Sequence, residues 1–207
     1  MTLYVPAHFR VEDPKELDAF IAQNAFGTLV SSSDAGLHAS HIPFVPARGA
    51  DGTLRLGFHV ARANPQATAL AEARHVLAIF QGAHAYVSPT WYENHPAVPT
   101  WNYAVVHAQG HVEPMDEAGL LALVGKLSSH YEAGRPEPWS MEKTPPGFVE
   151  KLLPVITGFT LVVERLDGKF KLSQNRPGQD AERVIEALES GGEPDVAALM
   201  RSHPPRR

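Results

Sequence analysis

Apolar and polar positions alternate with a period of two over much of this chain, and they do so in short runs separated by turn residues. Phe26–Ser32 predicts a strand, Asp34-Ala35-Gly36 a tight turn, and Leu37–Val45 its hairpin partner, with Pro43 placing that partner at an edge or a bulge. Asp51-Gly52 marks a second turn before a strand over Thr53–Val60. The continuous apolar run Val76–Phe80 predicts a buried strand, with Ala85–Ser88 as a neighbour across Gly82, and Tyr103–Val112 alternates as a further strand. Val155–Leu166 and Lys169–Ser173 predict a last hairpin around the turn dipeptide Asp167-Gly168.

Helical spacing is confined to a few places. Asp13-Pro14-Lys15-Glu16 has the form of a helix start, with Asp as N-cap, Pro at the first position and Glu three residues after the cap. Leu17, Phe20 and Ile21 then form a stripe that ends near Asn24. Ala61–Ala73 predicts a short crossover helix. Asp116 caps a helix with Leu120, Leu123, Val124, Leu127 and Tyr131 on one face. A proline-rich loop or lid over Ala133–Gly147 follows, then a short helix at Phe148–Leu153. Asp180–Glu189 predicts a terminal helix stopped by Gly191-Gly192, and Ser202–Arg207 a frayed tail. Many short strands with a few peripheral helices predict a small β-barrel with helical decoration.

At 207 residues the chain fits one domain or one domain with a helical appendage. With no cysteine, disulfides, thiolate metal sites and cysteine nucleophiles drop out. The net charge of −5 disfavours a protein that grips nucleic acid through a basic face. No apolar run approaches the length of a membrane span, and MTLYVPAHFR lacks the form of a secretory signal, so a cytoplasmic location is expected.

Candidate chemistry centres on His84–Val112, which holds two of the three tryptophans, three of the five tyrosines and four of the eleven histidines. Pro89, Pro96 and Pro99 interrupt it. Aromatic rings with polar tips on a stiff backbone suit a flat ligand, and they equally suit a packed loop crossing the core. Arg62 would grip a phosphate in a bidentate fork, with Asn64 capping the helix begun by Pro65, or it is an ordinary surface arginine beside an N-cap. In KFKLSQNR, alternation sets Lys169, Lys171 and Ser173 on one face. Gln174, Asn175 and Arg176 follow, forming either a donor cluster for a phosphate or ring edge or a solvated edge strand. His107 and His111 have metal-ligand spacing on a helix, but in a strand they stand roughly 13 Å apart; no metal site is expected. P-loop, GxGxxG, GxSxG and HExxH motifs are absent.

Taken together, these segments resemble the PaiB-type negative transcriptional regulators, described as FMN-binding split-barrel proteins. The matching stretches are YVPAHFR from Tyr4, FGTLVS from Phe26, HASHIPF from His38, HVARANP from His59, AYVSPTWY from Ala85, VPTWNYAVVHAQG from Val98, PWS from Pro138 and KLSQNRPGQD from Lys171. They run in family order from residue 4 to about residue 185. The resemblance implies a mainly β (α+β) fold, an FMN-binding split β-barrel with peripheral helices, related to pyridoxamine-phosphate-oxidase-like flavoproteins. It would occupy residues 1–180, with 181–207 as a C-terminal helical extension and tail.

The resemblance further implies a homodimer with FMN at the subunit interface. The cofactor residues implied are Arg62, Asn64, Ser88, Trp91, Thr100, Trp101, Asn102, Lys171, Ser173, Gln174 and Arg176. Arg62 and Lys171 would take the phosphate, with Ser88 and Thr100 as hydroxyl donors. Trp101 or Trp91 would flank the isoalloxazine, and Asn102, Gln174 and Arg176 would face its polar edge. The chain departs from the family at Phe58, where glycine is usual, and in a short Glu93–Ala97 loop. A regulator in contact with DNA would carry a basic recognition helix, and Asp180–Glu189 has one arginine against four acids. Direct DNA contact is therefore not expected. The alternatives are a flavin-dependent oxidoreductase acting on a small molecule, and a haem-binding or haem-degrading split barrel with His41, His59 or His107 as axial ligand. No residue stands out as an obligatory acid or base.

Overall fold

Asp13 opens the first helix as its side chain predicts. Its Oδ1 accepts a hydrogen bond from the Lys15 amide at 3.0 Å, and α1 runs over Pro14–Gln23 with Leu17, Phe20 and Ile21 buried. Glu16 does not close the capping box; its carboxylate instead meets His203 Nε2 at 2.6 Å. The structure, a computed structural model, describes residues 3–73 and 75–205. Arg206 and Arg207, at the end of the expected frayed tail, lie outside the described residues.

The strands are β1 (Arg10–Val11), β2 (Phe26–Ser33), β3 (Gly36–Pro43), β4 (Val45–Arg48), β5 (Leu54–Ala61), β6 (Val76–Val87), β7 (Thr100–Pro114) and β8 (Ile156–Lys171). They join in the order β3-β2-β6-β7-β8-β5-β4, with β1 paired to β8. The remaining helices are α2 (Pro65–Glu72), α3 (Glu117–Glu132), α4 (Gly178–Ser190) and α5 (Pro194–Ser202). This is the expected mainly antiparallel α+β class with peripheral helices. Among the described residues no helix is long and apolar enough to cross a membrane.

Two predicted hairpins are single strands. Val76–Phe80 and Ala85–Ser88 are joined as β6, and Gly82 lies within it beneath the Phe20 ring, where a Cβ would come within 2.8 Å of that ring. Val155–Leu166 and the start of Lys169–Ser173 merge in the same way into β8, which ends at Lys171 and leaves Ser173 in the turn beyond it. Asp167-Gly168 makes no turn; a side chain at Gly168 would collide with that of Leu17. The glycine there permits close approach rather than chain reversal. Phe148–Leu153 forms turns and a 3-10 segment instead of a helix, because Pro154 leaves it too short to propagate. Phe44 separates β3 from β4 within the predicted Leu37–Val45 strand, and α5 follows Gly192 in a stretch for which the sequence pattern predicts no separate element.

The chain divides into two compact units. One comprises Ile21–Phe80 and Ala108–Leu166. In it β2 and β3 pair from Phe26↔Pro43 to Ser33↔Gly36, and β5 pairs with β8 from Arg55↔Val162 to Ala61↔Ile156. Phe44, Phe58, Phe80, Leu29, Leu56 and Leu161 are buried at its centre. Phe58 packs on Phe44 and Phe159, so its ring fills this core. Leu120, Leu123 and Leu127 of α3 form a second cluster, each such burial stabilising by about 1.5–3 kcal/mol. Asp116 Oδ1 accepts from the Gly119 amide at 2.8 Å to start that helix. Buried Gln66 donates to the carbonyl of Leu29 and the hydroxyl of Ser31, tying α2 to the β2–β3 hairpin.

The other unit comprises Met1–Phe20, Gln81–His107 and Asp167–Arg207. β1 pairs with the end of β8 through Arg10↔Lys169 and Val11↔Gly168. Phe170, Leu172, Val184, Leu188, Ala197 and Met200 are buried here, with Phe20 against Phe170 at 4.9 Å between ring centres. Arg201 of α5 clamps α4 by donating to Glu182 and to both carboxylate oxygens of Glu189.

Candidate functional site

The end of β8 presents Lys171 beside the start of β7. Its ammonium donates to Thr100 Oγ1 and to the Trp101 carbonyl, both at 2.6 Å. Those bonds use two of its three N–H groups. Lys171 is half-buried, and burial first, then the neighbouring charges of Lys169 and Arg176, push its pKa below the ordinary lysine value. Three cations therefore gather around one strand end. Lys169 stands 5.5 Å from the Tyr4 ring centre and 5.4 Å from that of Tyr103, and the Arg176 guanidinium lies 4.4 Å over the Tyr92 ring.

An exposed aromatic surface adjoins this cluster along the chain. Trp101 is 52% exposed, with Tyr86 at 6.0 Å and His84 at 6.3 Å between ring centres. Trp91 is partly buried in a 3-10 turn over Pro89–Trp91. Ser88 starts that turn: its hydroxyl accepts from the Thr90 amide and lies 2.8 Å from the Thr90 hydroxyl. The His84–Val112 stretch is thus two strands joined by a turn, with some rings in the core and some outside it.

Several of the polar residues expected at the ligand are bonded inside the protein. Asn102 is fully buried; its Nδ2 donates to Ser173 Oγ at 3.0 Å, with Met200 Sδ at 3.2 Å. Ser173 adopts a left-handed φ of 67°, unusual for a non-glycine residue, two residues past the end of β8. Gln174 Oε1 accepts from the Leu172 amide and its Nε2 donates to the Phe170 carbonyl, each at 2.7 Å. These three side chains shape the turn that carries Lys171 and Arg176.

Arg62 and Asn64 belong to the other unit. The Arg62 guanidinium donates to the carbonyls of Pro154 at 2.7 Å and Ile156 at 3.1 Å. Asn64 Oδ1 accepts from the Gln66 amide to cap α2, and its Nδ2 donates to Ser40. Of the histidines considered as haem ligands, His41 Nδ1 lies 3.0 Å from Thr28 Oγ1. His59 and His107 each have a buried Nδ1 without a partner; burial lowers both pKa values, with Asp167 opposing the shift at His107.

Asp180 is the site residue that sequence reasoning passed over. It is fully buried at the start of α4, and its Oδ1 accepts from the amides of Glu93 and Asn94 and from Asn94 Nδ2. It anchors the short loop after Trp91 and Tyr92. Its place in the sequence marks only a helix start, and nothing there signals a partner 87 residues earlier.

The donor set suits FMN. A half-buried ammonium with an N–H to give, two further cations and an exposed indole match a phosphate attached to a flat ring system. Residues 3–165 match the family model described as "Putative FMN-binding domain". The chain belongs to that family. FMN is the cofactor the family assignment carries, as the sequence resemblance implied. The FMN-binding-domain match ends before β8 does, so Lys171, Ser173, Gln174 and Arg176 lie beyond it. A relative that does extend over them is the protease synthase and sporulation protein PAI 2 of Bacillus subtilis, 35% identical over 197 residues, covering 95% of this chain and 94% of the relative. An uncharacterized protein of Aspergillus fumigatus is 36% identical, covering 85% of this chain and 87% of its own.

Solved structures share the family's fold. A conserved hypothetical protein from Mycobacterium tuberculosis superposes with a TM-score of 0.61 at 16% identity, covering 84% of this chain and 94% of the other. The flavocytochrome Anf3 from Azotobacter vinelandii gives 0.59 at 15% identity, covering 81% and 72%.

Proposed function

We propose that this protein holds FMN at the Lys171 cluster and works as a homodimeric, cytoplasmic regulator that does not itself grip DNA. The observation that carries the flavin site is the Lys171 ammonium, held by Thr100 and the Trp101 carbonyl among the charges of Lys169 and Arg176. In this reading Lys171, aided by Lys169 and Arg176, takes the phosphate, and Trp101 lies against the ring. Asn102, Ser173 and Gln174 hold the turn in shape, while Ser88 and Asp180 fix the segment bearing Trp91. Arg62 and Asn64 serve the fold of their own unit. Bound FMN would supply hydride and electron-transfer chemistry, which the protein positions.

The regulatory role is supported by kinship with a Bacillus protein named for protease synthesis and sporulation. Action without DNA contact is supported by α4, whose Glu182 and Glu189 neutralise Arg201. The exposed Trp101 and Tyr86 offer an apolar surface for a second copy.

The deciding experiment is an FMN titration followed by flavin absorbance and fluorescence, repeated with riboflavin. Saturable binding that Lys171→Met weakens for FMN and leaves unchanged for riboflavin is expected; equal losses for both would remove Lys171 from the phosphate. A promoter-fragment shift that weakens with salt would overturn the reading on DNA. Sedimentation as a monomer at all concentrations would overturn the dimer.

A further inference from the structure

The unit built from Ile21–Phe80 and Ala108–Leu166 carries a cleft of about 300 Å³ that the flavin reading does not use. That volume lies at the lower end of small-molecule sites. Leu127 and Tyr131 of α3 form one side, and Pro43 and His59 lie at the strand side. Trp139 closes it from the proline-rich loop. Its position is set by a hydrogen bond: the Trp139 amide donates to Glu132 Oε2 at 2.9 Å, fastening the loop to the end of α3. Both rings stay open to solvent, Tyr131 at 48% and Trp139 at 43%.

The polar groups narrow the class of ligand. Among the described residues the lining holds no lysine or arginine and one carboxylate, Glu132, which also pairs with Arg135 at 3.3 Å. An anion would meet no compensating charge there. His59 Nδ1 is sealed and without a partner, so the cheaper arrangement leaves it unprotonated and puts the ring's proton on Nε2. Burial also disfavours a charged imidazole. We propose that this cleft binds a small, uncharged, planar aromatic molecule with a carbonyl or ring-nitrogen acceptor, stacked against Trp139 and Tyr131 and hydrogen-bonded by His59 Nε2–H.

Benzamide and benzoate test this as a matched pair, since they share a shape and differ in charge. Ligand-observed NMR and calorimetry on the FMN-saturated protein are expected to show saturable benzamide binding, about tenfold tighter than benzoate. His59→Phe keeps the ring volume and removes the donor, and Trp139→Ala removes one wall. Each should weaken benzamide by about fivefold or more while the flavin spectrum is unchanged. Equal affinity for the two probes, absence of saturable benzamide binding, or unchanged binding in both variants would overturn the proposal. In flavin-free protein, displacement of bound benzamide by added FMN would also overturn it, assigning the cleft to the flavin. Should either variant fail to fold, the comparison on the unmodified protein still decides. The inference does not depend on FMN occupying the Lys171 cluster.

Discussion

Asn102 and Ser173 meet inside the protein, Nδ2 to Oγ at 3.0 Å, 71 residues apart in sequence. Through this contact the start of β7 holds the turn after β8 in its left-handed form. Ser173 keeps a φ of 67° although it has a side chain, because its hydroxyl is bonded and its surroundings are packed. The two motifs that carry the flavin reading, VPTWNY and KLSQNR, are thus one structural object.

That contact predicts coupled losses. Asn102→Ala and Ser173→Ala should each lower stability by about 1–3 kcal/mol, since each leaves a buried polar partner unpaired. The double variant should lose less than the sum of the two, with a coupling of about 0.5–3 kcal/mol, as expected of residues in contact. Urea denaturation of the four proteins measures it. Additive losses would show that the pair does not act as a unit.

Lys171 predicts a pH dependence of flavin binding. Its pKa is depressed chiefly by burial, then by Lys169 and Arg176. A phosphate beside it favours the charged ammonium, so binding takes up protons as pH approaches the depressed value. FMN affinity should therefore fall on the alkaline side below pH 10.5, the ordinary lysine value. Riboflavin should show no such fall, and Lys171→Arg should remove it because guanidinium stays charged. For folding the sign is separate: the cost of the charged form is present at neutral pH and is relieved as pH rises through the depressed pKa. Fluorescence titrations of both flavins from pH 7 to about pH 10 separate these effects.

The dipeptide Asp-Gly shows how far the fold was legible. Asp51-Gly52 lies in a connection, with Gly52 at φ 79°, and Asp34-Ala35-Gly36 ends on Gly36 at φ 113°. Asp167-Gly168 has the same letters and continues a strand, because its glycine accommodates Leu17, a neighbour far away in sequence. Local pattern reports local conformation; it carries no record of which distant side chain must pass close by. The site divides in the same manner. Lys171 and Arg176 stood out as cations at a strand end, and they do gather there. The amides of Asn102 and Gln174 are of the kind that read a ring edge, but amides equally serve buried turns, and here both are bonded within the protein.

Gly110 offers a further test of close approach. It is buried in β7, and any side chain there would run into the main-chain carbonyl of Val162 in β8. Because the obstacle is backbone, neither strand can yield without disturbing their pairing. Gly110→Ala should lower stability by about 1–3 kcal/mol. For a protein of this size that is a melting-temperature drop of roughly 2–12 °C. An unchanged melting temperature would mean the two strands lie further apart than described.

Asp180 controls the acid side. Burial alone would raise its pKa, but the amides of Glu93 and Asn94, the Asn94 side chain and the charge of Arg176 outweigh that and hold the carboxyl below its ordinary value. A depressed carboxyl contributes stability that is fully present above its unfolded pKa, about 3.9, and is lost as pH falls through the lower folded value. Asp180→Asn keeps the size and removes the charge and its titration. It should lower stability near neutral pH by about 1.5–3 kcal/mol, the range for hydrogen bonds to a charged group. The deficit should then shrink as pH falls from about 5 toward 2, as the parent protein loses what the variant never had. The same substitution should loosen the Glu93–Ala97 loop and raise amide exchange at Glu93 and Asn94. Parallel acid-unfolding curves that never converge would show that the carboxylate of Asp180 is not what anchors that loop.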